Sequence, residues 1–284
     1  MSTIEPSFEL SNIITIPLKS KIFPKNTSRG NLMISIVGIY NNQELLNDYL
    51  LKSLKNQSVE YELILIDNRP QKLNSAAEAL NNAAKNAKGK YIMFTHYDIS
   101  FSDTWLEEIE NMLEKIDNLG IAGVAGKPDK GKLKGEVVSN IKDGIPPIYT
   151  GIQTKSLKEV QTLDEVAVIV PRHIFNKFKF DEKLGGWHLY VVDYCLNLKK
   201  QGLGVFVLPV SLYHRSRPSL KYDYFTILKK LLEKHKDDYN KIYTTCGTWD
   251  ASIPLKLRLS MTICYFKQFT PFDRIFPEIL KFGI

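Results

Sequence analysis

Between residues 32 and 98 the chain alternates between two hydrophobic rhythms, and this alternation restricts the fold more than any other feature. "LMISIVGIY", "YELILIDN" and "YIMFTHYD" are near-continuous apolar runs, the pattern of strands buried on both faces. Between the first two, "NNQELLNDYLLKSLKNQ" sets Leu45, Leu46, Tyr49, Leu50 and Leu54 at helical spacing. Between the second and third, "NSAAEALNNAAKNAKGK" is an alanine-rich helix, with Asn74 or Ser75 to cap it and Gly89 just beyond it. Strand, helix, strand, helix, strand predicts an α/β fold with a mostly parallel sheet and helices on its faces. Ligands of such sheets bind beyond the carboxyl ends of the strands. Right-handed crossovers bring those ends to one edge. Three polar clusters stand there: Tyr40-Asn41-Asn42, Asp67-Asn68 and His96-Tyr97-Asp98.

The last cluster poses a chemical question. In an extended chain alternate side chains share a face, so His96 and Asp98 point the same way, as a metal site or as two solvated residues. Further along, a helix is expected from about 105 to 116, and "GIAGVAG" reads as a short strand in close backbone contact. Residues 127–160 read as a long irregular loop or loose hairpin, of the kind that often serves as a lid. "EVAVIVPR" is a strand, "HLYVVDYCLNLKKQG" a helix closed by Gly202, and "VFVLPVSLYH" another strand ending in His214. A long amphipathic helix is expected from Pro218-Ser219, while 244–284 mixes strand-like and helical spacing. The expected organisation is a peripheral arm at 1–31, a principal domain at 32–218 and a helical extension at 219–284.

Composition narrows the class. The 284 residues are 44% hydrophobic and 24% charged, enough for a sizeable globular core. The formal charge of +7 comes from dispersed lysines, with clusters at 127–134 and 229–236. Without an arginine-rich stripe or a nucleic-acid motif, this is a solvated basic surface, and nucleic acid is not an expected partner. No apolar run approaches the roughly 20 residues that span a bilayer, and no signal peptide is visible. Cys195, Cys246 and Cys264 are sparse and unpaired in spacing, which argues for a reducing, cytoplasmic setting.

The residues from Asp67 onward resemble the nucleotide-sugar half of family 2 glycosyltransferases with the GT-A fold. The pieces that carry the resemblance are Ala79-Leu80-Asn81, Ala87-Lys88-Gly89, the apolar run Tyr91 to Thr95, and His96-Tyr97-Asp98. The family typically has Ala-Arg-Asn and Asp-x-Asp there. "HYDISF" is similar to a branch with His-x-Asp. The second half, "LDEVAVIVPRHIF" and "FDEKLGGWHLYVVDYCLNLKKQGLGVFVLPVSLYHRS", resembles the acceptor side, with Val191 where an Asp is common. The resemblance extends over about residues 32 to 218.

It implies a Rossmann-like GT-A sheet and an inverting, metal-dependent hexosyltransferase. A sugar would pass from a UDP- or dTDP-linked donor to a glycan, lipid-linked or protein-linked acceptor, as in polysaccharide biosynthesis. Asp98 would hold Mn²⁺ or Mg²⁺, with His214 as a further ligand or a phosphate contact. Asp193 would be the base, its apolar neighbours raising its pKa. Tyr40, Asn41, Asp67, Asn81, His96, Asp164 and Glu165 would hold the nucleotide sugar, with Asp67 accepting from a pyrimidine imide N–H. Trp187 and His188 would form an acceptor wall. His96 would either ligate the metal, favouring Mn²⁺, or hydrogen-bond the ribose or diphosphate. The alternative is a GT-A module that binds nucleotide sugars without turnover. A nucleotidyltransferase needs a basic Gly-rich loop after the first strand, which "GIYNNQEL" lacks. Lys256, Arg258, Lys267, Arg274 and Lys281, set among Leu, Ile and Phe, suggest a peripheral membrane contact.

Overall fold

The computed structural model describes residues 13–16, 34–216 and 222–251, with the single positions 259 and 262. Its first described element is a short strand, β1 (Ile13–Ile16). The first apolar run forms β2 (Ile34–Tyr40). Asn42 then caps α1 (Gln43–Leu46), its side chain accepting from Leu45 N–H at 3.0 Å. This helix widens through a π-helical turn (Asn47–Leu51) and finishes as α2 (Lys52–Leu54). The other two runs are β3 (Tyr61–Asp67) and β4 (Tyr91–Thr95), joined by α3 (Ala76–Ala84). Of the two caps the sequence offers, Ser75 takes the role, accepting from Glu78 N–H.

Next come β5 (Ile99–Ser100), α4 (Trp105–Leu113), β6 (Leu119–Gly123) and β7 (Ala125–Lys127). The stretch expected as a loop instead folds into four short strands: β8 (Val138–Ser139), β9 (Ile141–Asp143), β10 (Ile148–Tyr149) and β11 (Lys158–Glu159). Following them are β12 (Thr162–Leu163), β13 (Ala167–Pro171), α5 (Arg172–Lys177) and α6 (Tyr190–Lys200). "VFVLPVSLYH" is two strands rather than one: β14 (Gly204–Val207) and β15 (Leu212–His214), in different sheets. Pro209 lies between them and has no N–H to give to a ladder. Last are α7 (Tyr222–His235) and a hairpin, β16 (Lys241–Thr244) with β17 (Gly247–Asp250).

The main sheet has the order β1-β3-β2-β4-β13-β6-β14-β11. Its centre, β3-β2-β4, is parallel as expected, and β14 runs parallel to β6. The sheet is nonetheless mixed, because β13 enters antiparallel between β4 and β6, and β1 and β11 border it antiparallel. Part of the expected N-terminal arm is thus an edge strand of the sheet. Period-two alternation divides the core. Val37, Ile64, Ile92 and Phe94 face α3, α5 and α6, while Ile36, Leu63, Leu65 and Met93 face α1, α2 and α4. Strands covered on both faces have no polar side, which is why they read as continuous apolar runs. A third cluster joins α6, α7 and the hairpin through Leu196, Leu228, Leu231, Ile242 and Trp249.

The region after 218 was expected to be helical, and α7 agrees, but the β16–β17 hairpin differs from that expectation. Residues 217–221, where the helix was expected to start, lie outside the described residues, as do Cys264 and the basic positions Lys256, Arg258, Lys267, Arg274 and Lys281. Among the described residues no helix is long and apolar enough to cross a membrane.

Candidate functional site

The carboxyl ends of β2, β3 and β4 lie level, with Tyr40 opposite Asp67 and Gly38 opposite Thr95. Against this edge sits a small sheet of order β10-β9-β15-β5. The division of "VFVLPVSLYH" has a consequence here, because β15 leaves the main sheet and carries His214 to the HYD turn. His214 pairs with Ile99 on one side and with Asp143 on the other. Ligand atoms of His96, Asp98 and His214 all lie within 4.8 Å of one another.

The contacts in this cluster are specific. His96 Nδ1 is 3.3 Å from His214 Nε2, and Asp98 Oδ1 is 3.4 Å from the same nitrogen. His214 Nδ1 lies 2.7 Å from Asp143 Oδ1, an N–H donated to a carboxylate. Ser216 Oγ donates to Asp98 Oδ2 at 2.5 Å. Burial raises the Asp98 carboxyl's pKa, but the His214 and Ser216 hydrogen bonds outweigh that and hold it well below the usual range. His214 shows the converse: burial lowers it, yet its bonds to Asp143 and Asp98 lift it to about 9. His96 is lowered, by burial first and by His214 second.

Two imidazoles and a carboxylate converging at this separation form a donor set that fits a divalent ion. Asp143 would be the outer partner that orients a ligating imidazole and leaves Nε2 facing the site. The sequence reading missed Asp143 and Ser216. Asp143 lies in the stretch read as a loop, and only the β9–β15 register reveals it.

The cluster lies in the lining of a cavity of about 940 Å³ that also includes Tyr40, Asn41, Asn68, Tyr97, Asp164, Glu165, Trp187 and His188. Tyr97 Oη donates to Asn41 Oδ1 at 2.5 Å. Trp187 and His188 are carried by a tight loop in which Gly185, Gly186 and Leu189 have φ of 70°, 68° and 66°. The left-handed φ at Gly186 favours glycine, and a Cβ there would also force the Ile227 side chain, whose Cδ1 would lie 2.4 Å away, to shift. Leu189, the N-cap of α6, pays for its left-handed backbone with strain, and its N–H reaches the Glu165 carboxylate.

Asp164 is fixed by Val166 N–H at 3.1 Å and by Thr245 Oγ1 at 2.7 Å. Glu165 differs. Its Oε1 is buried with no hydrogen-bond partner, and burial together with neighbouring Asp164 pushes its pKa well above the carboxylate range. Thr244, Thr245 and Cys246, at the turn of the β16–β17 hairpin, complete the wall. They too escaped the sequence reading, since the hairpin was not recognised.

Three expected site residues do not line the cavity. Asp193 is 1% exposed, and its carboxylate binds Lys234 Nζ at 2.7 Å and His235 Nε2 at 2.8 Å. It ties α6 to α7, and its side chain meets an ammonium and an imidazole rather than the apolar neighbours its sequence context suggested. Asn81 is buried in α3, with Nδ2 donating to Phe180 O and Glu182 Oε1 and Oδ1 accepting from Phe180 N–H. All its hydrogen-bonding capacity in this arrangement goes to the 180–182 turn. Asp67 is bound by the Arg69 side chain and backbone, which hold its pKa at about 2, and it also pairs with the Tyr40 hydroxyl.

Comparison with known proteins places this architecture. A family model described as a glycosyltransferase-like family matches residues 35–241. No curated protein matches the chain. Among solved structures, the mannosyltransferase PcManGT from Pyrobaculum calidifontis, in complex with GDP-Man and Mn²⁺, is similar with a TM-score of 0.51 and 12% identity over 75% of this chain and 66% of its own. TarS 1–349 from S. aureus, in complex with UDP-GlcNAc, aligns with a TM-score of 0.48 and 14% identity over 70% of this chain and 65% of its own. GalNAc-T7 with UDP, GalNAc and Mn²⁺ aligns with a TM-score of 0.48 and 11% identity over 66% of this chain and 44% of its own. The chain therefore spans 44% to 66% of the length of these structures. With a GT-A sheet, and a family match that covers well over half its length, this chain belongs to the glycosyltransferase-like family.

Proposed function

We propose that the protein transfers a sugar from a nucleotide-sugar donor to a hydroxyl of a glycan, lipid-linked or protein-linked acceptor, with metal assistance and inversion at the anomeric carbon. The observation that carries this reading is the convergence of His96, Asp98 and His214 in a cavity whose lining also holds Glu165, a carboxyl with one oxygen, Oε1, that has no hydrogen-bond partner. A divalent ion bound there would neutralise the charge that grows on the departing diphosphate. Asp98 would supply its carboxylate oxygen, and His214 its Nε2, whose proton the ion would displace while the Asp143 bond holds the other proton at Nδ1. Two imidazoles in a set of three favour Mn²⁺ over Mg²⁺.

Glu165 replaces Asp193 as the proposed base. Its raised pKa makes it a stronger proton acceptor than an ordinary carboxylate, matched to work nearer neutrality. In a single displacement the acceptor oxygen bonds to the anomeric carbon as the bond to the diphosphate breaks, and the hydroxyl proton passes to Glu165. Asp164, held by Thr245 and Val166, would keep its position beside the sugar. Tyr40 and Asn41 would flank the nucleotide. Trp187 and His188, on their glycine-dependent loop, would wall the acceptor side.

A screen of UDP-, dTDP- and GDP-sugars for hydrolysis, with and without Mn²⁺, tests the proposal. One donor should turn over in an Mn²⁺-dependent manner. Asp98→Ala should abolish both turnover and Mn²⁺-dependent nucleotide binding. Glu165→Gln should keep nucleotide affinity and lose roughly 10² to 10⁴ in rate. Hydrolysis undiminished in Asp98→Ala would remove the metal role, and binding without turnover of any donor would leave a nucleotide-sugar-binding module.

A further inference from the structure

Of the eight exposed large hydrophobic side chains among the described residues, five fall between 145 and 157, and the densest group is on one hairpin. β9 and β10 pair through Ile148–Asp143 and Tyr149–Lys142. At and beside their turn, Ile145 is 65% exposed, Ile148 52%, Ile152 42% and Tyr149 41%. β10 is the outer strand of its sheet, so nothing in that sheet covers it. Apolar side chains this exposed and this close together mark an interaction surface.

The charges around them select the partner. Asp143 is the sole acid between 141 and 158, and it points inward, buried and bound to His214. Lys142 and Lys155 are exposed, and Lys142 Nζ sits 5.1 Å from the centroid of the Tyr149 ring. Within 141–158 the outward side chains are therefore apolar, polar or cationic, with no carboxylate among them. The turn includes Pro146 and Pro147, which carry no N–H and so bring fewer donors that would go unsatisfied away from water. Apolar tips ringed by lysines suit a bilayer interface with anionic headgroups.

We propose that the 143–152 hairpin docks the protein on an anionic membrane surface. The base of the hairpin is fixed to the site: Gly144 N–H donates to His214 O at 2.9 Å, and Tyr213 Oη donates to Gly144 O at 3.2 Å. Ile141, Asp143 and Thr150 line the cavity, so docking holds the cavity beside the bilayer.

Co-sedimentation with phosphatidylcholine vesicles, with and without phosphatidylglycerol, tests this. Wild-type protein should partition at least tenfold better onto the anionic vesicles and lose that preference in high salt. The pair Ile145→Asp and Ile148→Asp should lower binding to anionic vesicles at least tenfold. The pair Lys142→Glu and Lys155→Glu should do likewise, since each interfacial lysine is worth about fivefold. Every substituted side chain is exposed, so melting temperatures should stay near wild type and separate lost docking from lost folding. Equal binding to neutral and anionic vesicles would overturn the proposal. So would anionic binding that survives both pairs, or a hairpin-dependent dimer that ignores vesicles. Because no sugar is transferred in this assay, a negative result leaves the proposed chemistry untouched.

Discussion

Asp143→Ala is the sharpest probe of the site, because the wild-type residue touches neither nucleotide nor metal in the proposed arrangement. Asp143 and His214 are 4% and 6% exposed, and their 2.7 Å hydrogen bond joins register partners on adjacent parallel strands. Removing the carboxylate leaves a buried imidazole N–H without an acceptor, which costs about 1–3 kcal/mol of stability. It also frees His214 to take the other tautomer, with the proton on Nε2 and no lone pair toward the site. Partners of metal-bound histidines are typically worth 10- to 100-fold in affinity, or about 1.4–2.7 kcal/mol. Mn²⁺-dependent binding of whichever of UDP, dTDP or GDP the wild-type protein prefers should weaken by that factor in calorimetry. Asp143→Asn should recover part of the loss, since its amide oxygen still accepts from Nδ1 but without the charge. If Asp143→Ala binds within twofold of wild type while remaining folded, His214 does not act through Nε2 and the proposed metal set is wrong.

Asp193→Asn should be chiefly a stability variant, since it uncouples a buried carboxylate from Lys234 and His235. Breaking such a pair costs about 3–5 kcal/mol, read as a lower melting temperature with nucleotide affinity retained; full stability with abolished turnover would restore it as the base. Glu110, on α4, has a buried Oε1 with no hydrogen-bond partner, and burial with Glu107 and Glu114 raises its pKa from 4.5 to about 7. A carboxyl raised on folding binds protons better in the native state, so its contribution is intact below about pH 4.5 and is lost as pH rises to about 7. Glu110→Gln should therefore stabilise the protein by about 1–3 kcal/mol at pH 8, allowing for solvent screening, and by little at pH 4.5. Parallel denaturant midpoints at both pH values would show that Glu110 is not held neutral.

The parallel centre of the sheet was legible because every strand there is covered on both faces, and burial leaves an unbroken apolar signature. The antiparallel entry of β13 was not legible, since Ala167–Pro171 is equally buried whichever way it runs. His96, Asp98 and His214 could be chosen from their places at strand ends, and Asp164, Glu165, Trp187 and His188 from the family pattern. Asp143 and the Thr244–Cys246 wall could not, because their strands are three to four residues long, too short for periodicity to register. Asn81 and Asp193 stand outside the cavity lining for a different reason. A motif position states which residue type stands there, while the partner that consumes its hydrogen bonds lies far off in sequence: Phe180 for Asn81, and His235 for Asp193.

Asp193 and Glu165 meet contrasting surroundings. Asp193 lies in the first turn of α6 and Glu165 beside that helix's N-terminus, and from sequence either could accept a proton. Asp193 is met by an ammonium, an imidazole and the Asn197 amide, so its oxygens are already engaged within the protein and the residue does not line the cavity. Glu165 Oε1 meets nothing, and its neighbour Asp164 carries a like charge. Under the proposed mechanism that missing partner makes Glu165 the acid that gains most from an acceptor hydroxyl sharing its proton. An unsatisfied buried oxygen is rarely tolerated in a folded chain without a role, and here the cavity supplies one. At the α6 N-terminus the left-handed Leu189 gives the Glu165 carboxylate a backbone N–H, while Oε1 keeps no hydrogen-bond partner within the protein.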